Sequence, residues 1–99
     1  MSKRVEHQVW FKFKPGISDE RIEHHAQGLA ALKGKIPGIL EIKVGRNFTD
    51  RAPGFGLGLS VTLESKAALE AYGPHPEHKA VAGPLRADCD DVMAVDFEF

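Results

Sequence analysis

The feature that most constrains the fold is a stretch from Phe55 to Leu63 in which every second residue is apolar. Successive side chains of a β-strand point to opposite faces of a sheet, so this stretch predicts a strand with one apolar face and one almost bare face. A sheet that contains this strand needs an apolar layer over one face only. The apolar residues are Phe55, Leu57, Leu59, Val61 and Leu63, and Gly56, Gly58, Ser60 and Thr62 lie between them.

Alternation also predicts strands over Val5 to Lys14, Ile39 to Val44 and Val92 to Phe99. Each has a set of apolar residues at every second position, and the first set includes a histidine. The residues expected to face the core are Val5, His7, Val9, Phe11 and Phe13 in the first strand, Leu40, Ile42 and Val44 in the second, and Met93, Val95, Phe97 and Phe99 in the last, with Asp96 and Glu98 facing outward.

A first helix is predicted to begin at Ser18-Asp19-Glu20, where a capping residue precedes two acids, and to end at Ile36-Pro37-Gly38. Between these points, residues at helical spacing form one stripe toward the core. The stripe consists of Ile22, His25 or Ala26, Leu29, Leu32 and Ile36.

A second helix is predicted from a cap at Ser65 to Tyr72, and it leads into a corner rich in titratable groups, Tyr72 to His78. Gly73-Pro74 stops this helix, and Pro76 suits the first turn of another, which places His78 in that turn. This last helix is expected to run to about Leu85 and to be interrupted by Gly83-Pro84.

The order β-α-β-β-α-β predicts an α+β fold of ferredoxin-like topology, with a four-stranded antiparallel sheet and both helices on one face. We expect a single domain over residues 1–99. Small residues on the other face allow a second sheet to approach closely, which indicates a homodimer, although a solvated polar face is the alternative. The residues assigned to that face include Trp10, Gly56, Gly58, Ser60, Thr62 and Ala94.

Composition and charge limit the partners and the compartment. With 13 basic and 14 acidic residues the formal charge is -1, so no basic field attracts nucleic acid or an anionic membrane. No apolar run is long enough to span a bilayer and no signal-peptide core is present, so a cytoplasmic protein is expected. Cys89 is the only cysteine, which excludes an intrachain disulfide and Cys-based zinc, and it is expected to be a small apolar filler.

The candidate catalytic residues are Tyr72, His78 and His7. His7 and Tyr72 both point to the layer between sheet and helices, and a helix N-terminus favours a neutral imidazole at His78. A phenol that polarises a carbonyl and an imidazole that removes a proton from the adjacent carbon suffice for aldol or Claisen chemistry without a cofactor. The expected apolar walls are Phe11, Leu29, Leu57, Leu59 and Val81.

Structural roles are the alternative for each of these residues. His7 can be a buried, hydrogen-bonded histidine, and Tyr72 can be a core aromatic. His75, which precedes a proline, is expected to cap a helix or form a turn. No metal site is predicted, because adjacent helical residues such as His24-His25 point about 100° apart and no acid or cysteine completes a ligand set with His75 and His78.

Taken together, several of these segments resemble the stress-responsive A/B barrel (Dabb) domain family over essentially the whole chain. The resemblance rests on His7 with Phe11 to Lys14, Ile36 to Ile39, Gly45, Asn47, and Tyr72 with His75 to His78. It implies a homodimer in which two ferredoxin-like sheets meet as a dimeric α+β barrel. In some members it also implies a magnesium ion bound by backbone carbonyls after the first helix, here Lys33 to Ile39.

Within that family, the plant polyketide cyclase that forms olivetolic acid resembles this chain at several site positions. The resemblance implies that Tyr72 and His78 are a catalytic pair and that His7 lies in their pocket. It fails at Leu57, where the cyclase has a histidine. The function classes are therefore a cyclase-like or lyase-like enzyme acting on a small molecule without a cofactor, and a non-catalytic dimeric protein, stress-associated or ligand-binding. A relative of the barrel-forming monooxygenases is a remoter third.

Overall fold

The computed structural model describes residues 3–99. The chain forms one four-stranded antiparallel sheet with the strand order β2-β3-β1-β4. This arrangement confirms the predicted ferredoxin-like α+β fold, with a third helix extending the second crossover. Within the described part of the chain, no helix is both long and apolar enough to cross a bilayer. The elements are β1 (Val5–Phe13), α1 (Asp19–Ala30), β2 (Ile39–Arg46), β3 (Phe55–Leu63), α2 (Lys66–Tyr72), α3 (Pro76–Ala87) and β4 (Cys89–Glu98).

The helices cover one face of the sheet, which we call the helix face, and the core lies between them. In β3 the alternating apolar residues from Leu57 to Leu63 face this core as predicted, and Val61 and Leu63 are completely buried. Phe55 does not join the core as predicted, because an irregularity in the β1–β3 register pairs it with Lys12. Antiparallel pairing sets His7 of β1 opposite Val61 and Val9 opposite Leu59, so the two central strands bury the same face. Burial of this apolar surface, at roughly 25 cal/mol per Å², is the main force that holds helices to sheet.

The predicted orientation of β4 is wrong. Its register with β1 sets Asp96 opposite His7 and Ala94 opposite Val9, so these two β4 residues lie on the helix face rather than the opposite one. The larger apolar residues from Met93 onward lie on the uncovered face, which we call the open face, beside Trp10 and Gly58 of the central strands, whereas Val92 packs against the core. Alternation gives the period of a strand, whereas only the pairing register decides which phase faces the core. The open-face apolar residues of β4 are Met93, Val95 and Phe97, and Phe99 beyond the strand is also exposed.

The first helix is shorter than the apolar stripe predicts. It ends at Ala30, and Leu32 and Ile36 follow in turns, where both are nonetheless buried. At the end of this turn Gly38 has φ +92°, and a Cβ there would approach Ala68 of α2 to 2.8 Å. Glycine is therefore required at this point for two reasons, a left-handed backbone and a close helix contact.

Two other boundaries differ from the predictions. In β2 an irregularity between Ile39 and Glu41 turns Ile39, instead of Leu40, toward the core. The last helix continues through Pro84 to Ala87. An interior proline removes one backbone hydrogen bond, but Leu85 beyond it is fully buried, and its packing holds the final turn in place.

Asp88, at the junction of α3 and β4, ties this end of the fold to α1. Its Oδ2 accepts a hydrogen bond from Arg21 Nε at 2.6 Å and lies 2.7 Å from Nε2 of the buried His25. The bonds from His25 and Arg21 hold the pKa of Asp88 below its ordinary value of 3.8. Next to it, burial and the Asp88 charge raise the pKa of Cys89 to about 11, so the thiol stays protonated and acts as a filler.

We expect Asp88→Asn to lower the thermal unfolding midpoint at neutral pH, because His25 then loses its anionic partner. A carboxylate whose pKa is depressed in the folded state stabilises it above the unfolded pKa, and that contribution disappears as pH falls through the folded value. The difference between variant and wild type should therefore shrink below about pH 3.8. Asp90→Asn, a neighbouring exposed substitution, is the control; an equal effect of both would contradict the role of Asp88.

Candidate active site

A cavity of about 170 Å³ lies between the helix face of the sheet and the helices. All three predicted catalytic residues, His7, Tyr72 and His78, line it, together with the guanidinium-bearing Arg86. The rest of the lining is apolar or backbone. These residues are Val9, Phe11, Leu29, Leu59, Leu69, Gly73, Ala82, Leu85 and Ala94.

Tyr72 is the last residue of α2 and is almost completely buried, with 2% of its surface exposed. Its hydroxyl has no hydrogen-bond partner among residues 3–99. A buried hydroxyl without a partner costs on the order of 1–3 kcal/mol, which is unusual in a packed protein. Burial also raises the pKa of Tyr72 to about 12, so the phenol is a neutral hydrogen-bond donor at physiological pH.

His78 lies in the first turn of α3, as predicted from Pro76. Its Nδ1–H donates to the carbonyl oxygen of Gly73 at 2.9 Å, which leaves Nε2 with a free lone pair in the neutral ring. The rings of His78 and Tyr72 have centroids 4.4 Å apart. Burial lowers the pKa of His78 below 6.5, against the opposing effect of the bond to Gly73, and nearby positive charge from His7 and Arg86 adds to the lowering.

His7 completes the polar group from the sheet side. Its ring meets Tyr72 edge-on, with centroids 5.6 Å apart. The Nδ1 of His7 pairs with Asp96 Oδ1 from β4, which fixes the orientation of the ring. Asp96 was predicted to face outward, and the sequence carries no signal for this pair because it depends on the β1–β4 register.

The predicted walls are partly right. Phe11, Leu29 and Leu59 line the cavity. Leu57 is buried elsewhere in the core, and Val81 lies against Gly28 of α1, so neither belongs to the lining. Leu57 therefore does not replace a polar cavity residue in this fold; its side chain is outside the cavity.

The other histidines have structural roles. His75 caps α3, as expected, by accepting a hydrogen bond from the backbone N–H of Glu77 at 3.1 Å. His24 and His25 do not act as a pair, since His25 is bonded to Asp88. In residues 3–99, no three His, Cys, Asp or Glu side chains are grouped to hold a metal ion.

The turn after α1 does not fit a magnesium ion. Residues 33–39 supply two lysines and no carboxylate, and the Gly38 carbonyl already accepts from the N–H of Glu64 at 3.0 Å. Mg²⁺ takes oxygen ligands in near-octahedral geometry, usually with carboxylates.

These features define a small ferredoxin-like α+β protein with a pocket between its sheet and its helices. The chain belongs to the stress responsive A/B barrel domain (Dabb) family, whose family model matches residues 5–99. It is 29% identical, over 95% of its length and 88% of the relative's, to the Stress-response A/B barrel domain-containing protein HS1 of Arabidopsis thaliana.

Two solved structures share this fold. A dimeric ferredoxin-like protein of unknown function from Jannaschia sp. CCS1 is similar with a TM-score of 0.84 and 30% identity, covering 97% of this chain and 99% of that one. Hydroxynitrile lyase from Passiflora edulis is similar with a TM-score of 0.89 and 21% identity, covering 100% and 95%; this likeness concerns the fold alone. The family resemblance is confirmed, and the dimeric neighbours support a homo-oligomer.

We expect His78 to titrate below 6.5 in the folded protein, because burial disfavours the imidazolium. Nitrogen-detected NMR over a pH series should show this lowered pKa and a proton on Nδ1. The protein unfolded in urea is the reference, where His78 should titrate near 6.5. Because the unfolded state then binds the proton more tightly, His78 lowers folding stability as pH falls below 6.5. A folded pKa at or above the unfolded value would contradict this environment.

Proposed function

We propose that this protein is a cofactor-independent enzyme that acts on a small carbonyl compound in the cavity of Tyr72, His78 and His7. The observation that carries the proposal is the Tyr72 hydroxyl, a buried donor with no partner in the described chain, beside the ring of His78. Folding gains nothing from leaving this donor unpaired, whereas a bound carbonyl oxygen would accept its hydrogen bond.

In the proposed reaction, the Tyr72 hydroxyl donates to the carbonyl oxygen of the substrate while His78 Nε2 removes a proton from the adjacent carbon. The electron pair of the broken C–H bond moves toward the oxygen and forms an enolate, which Tyr72 stabilises. A neutral imidazole and a neutral phenol are the required forms at pH 7, and the shifted pKa values of both residues favour them. The resulting carbanion can then attack a second carbonyl, as in aldol or Claisen chemistry.

The size of the cavity narrows the substrate. Its volume of about 170 Å³ is close to that of a 150 Å³ apolar cavity that binds benzene. Pockets for larger ligands usually measure about 300–1,000 Å³. We therefore infer a substrate of one ring or an equally short chain, smaller than the linear polyketide that a cyclase of the olivetolic acid type folds. Lyase-like or aldol-like chemistry fits better than closure of a long chain.

The second candidate is a non-catalytic dimeric protein that binds a small apolar ligand. The largely apolar lining favours it, because only four of the lining side chains are polar: His7, Tyr72, His78 and Arg86. In that function Tyr72 donates a hydrogen bond to the ligand, and His78 forms part of the cavity wall. The two candidates differ in one measurable step, the removal of a proton from carbon.

Exchange of the protons beside the carbonyl of cyclohexanone in D₂O, followed by NMR, tests this step with a neutral one-ring ketone. After binding is established by titration, we expect the protein to accelerate exchange. Tyr72→Phe should reduce the acceleration by about 10²–10³-fold, the typical value of one oxyanion donor, and His78→Ala by about 10²–10⁴-fold. The acceleration should fall as pH decreases through the pKa of His78, which burial lowers below 6.5, because His78 then becomes protonated.

His24→Ala, an exposed substitution on α1, is the matched control and should leave the exchange rate unchanged. Binding without accelerated exchange would overturn the enzyme proposal and favour the ligand-binding candidate. Absence of binding to the cavity would contradict both. Circular dichroism of each variant shows whether the fold is retained.

We also propose that the homo-oligomer is a dimer formed through the open face. Between 38% and 47% of the surface of Trp10, Met93, Val95 and Phe97 is exposed there, which makes a continuous apolar area. Beside them the Glu6 carboxylate already accepts hydrogen bonds from the hydroxyls of Ser60 and Thr62. Because these polar groups are paired within the chain, covering the face leaves few of them unsatisfied.

Val95→Glu places a charge at the centre of this apolar area and should dissociate the dimer, because burial of an unpaired carboxylate is costly. Light scattering at micromolar concentration should then fall from twice the chain mass of 10.9 kDa to that mass. Ala30→Glu adds the same charge at the exposed end of α1 and should leave the dimer intact. A wild-type mass of about 11 kDa, or a dimer retained by Val95→Glu, would contradict this interface.

A further inference from the structure

Arg86 differs from every other residue of the cavity in carrying a full charge. It lies in the last turn of α3 and lines the cavity together with Tyr72 and His78. No aspartate or glutamate belongs to the lining. Among residues 3–99 no carboxylate lies within ion-pair distance of its guanidinium, whereas Arg21 and Arg46 both have carboxylate partners.

The position of Arg86 has one ordinary structural explanation. A basic residue in the last turn of a helix interacts favourably with the negative end of the helix dipole, typically by about 0.3–1 kcal/mol. That interaction is satisfied by a side chain pointing anywhere near the helix end. It does not require the side chain to line an otherwise apolar cavity, nor to come close enough to His78 that its charge lowers the pKa of that imidazole.

The remaining polar groups in the cavity cannot serve as the counter-ion. The Nδ1 atoms of both imidazoles are used, by Asp96 for His7 and by Gly73 for His78. The Tyr72 hydroxyl is a donor with a pKa of about 12, so it remains uncharged. The cavity lining thus carries one full positive charge with no carboxylate partner among residues 3–99, and because Arg86 is an exposed residue, this charge is accessible to an anion that arrives from solvent.

We propose that Arg86 binds a carboxylate of the substrate, so that the natural ligand is a short keto acid. The guanidinium is a planar fork that can donate two parallel hydrogen bonds to a carboxylate. This inference rests on the proposed function and adds the substrate class. The carboxylate lies against Arg86, the apolar body lies among Leu29, Leu59 and Leu85, and the carbonyl meets Tyr72.

This arrangement also gives Arg86 a place in the reaction. Proton removal by His78 creates negative charge on the carbonyl oxygen, in a substrate that already carries one negative charge. With its carboxylate bound by Arg86, the substrate is held with its carbonyl toward Tyr72, and the guanidinium offsets part of the total charge. The role of Arg86 is therefore to determine specificity, whereas Tyr72 and His78 act on the reacting atoms.

The experiment compares 4-oxopentanoate with its uncharged methyl ester, which have the same carbonyl and nearly the same size. Dissociation constants for both are measured by NMR titration at low ionic strength, with exchange of the protons beside the ketone as a second readout. Wild type should bind the anion about tenfold more tightly than the ester. In Arg86→Gln this preference should disappear, and Arg86→Lys, which keeps the charge but not the fork, should retain part of it.

Arg51→Gln, which removes an exposed arginine in the β2–β3 loop outside the cavity, is the matched control and should keep the tenfold preference. The preference should also decrease with added salt, since it is electrostatic. Equal affinity of wild type for acid and ester, or an unchanged preference in Arg86→Gln, would overturn the assignment.

The two proposals can fail separately. Accelerated exchange of both compounds without discrimination would leave the enzyme function standing and remove the keto acid. Preferential binding of the anion without exchange would leave Arg86 as the carboxylate-binding residue of a non-catalytic protein. Because the comparison of acid with ester is made within each variant, a general loss of stability in Arg86→Gln affects both affinities and cancels.

Discussion

The antiparallel pairing of β1 with β3 on one side and β4 on the other is the interaction on which the rest of this structure depends. It joins the apolar faces of the two central strands into one surface, and that surface holds the helices. The same register sets Asp96 beside His7. A shift of this register by one residue would turn His7 and Val9 away from the helices. The core and the candidate site therefore require the same register.

The cavity departs from efficient packing at the residues to which we assign a function. The unpaired, buried Tyr72 hydroxyl reduces the stability of a small chain, and the exposed guanidinium of Arg86 in the same lining has no carboxylate partner among residues 3–99. Elsewhere in the same molecule, polar groups are matched: Glu6 with Ser60 and Thr62, and Asp88 with Arg21 and His25. The contrast supports a ligand whose carbonyl and carboxylate supply the missing partners.

Two structural devices keep the walls of this cavity in place. The Asp88 cluster ties α1 to the junction of α3 and β4, and this fixes the C-terminal end of the helix that carries His78 and Arg86. At the other end, His75 and Pro76 fix the start of α3, and Gly73 accepts the hydrogen bond that orients His78. The corner between α2 and α3 is therefore held by contacts among its own residues, and these contacts orient its titratable groups without a ligand.

By itself, the sequence determined which segments form strands and helices, that His75 caps a helix or forms a turn, that His78 lies in the first turn of a helix, and that His7 and Tyr72 face one layer. These features follow from short-range periods and caps, which any chain segment carries with it. It did not determine the face that β4 buries, the Asp96–His7 pair, the end of α1 at Ala30 or the place of Arg86 at the cavity. Those depend on pairing register and on contacts between residues far apart in the chain. Alternation shows that a segment is a strand, but it does not show which of the two faces of that strand meets the core.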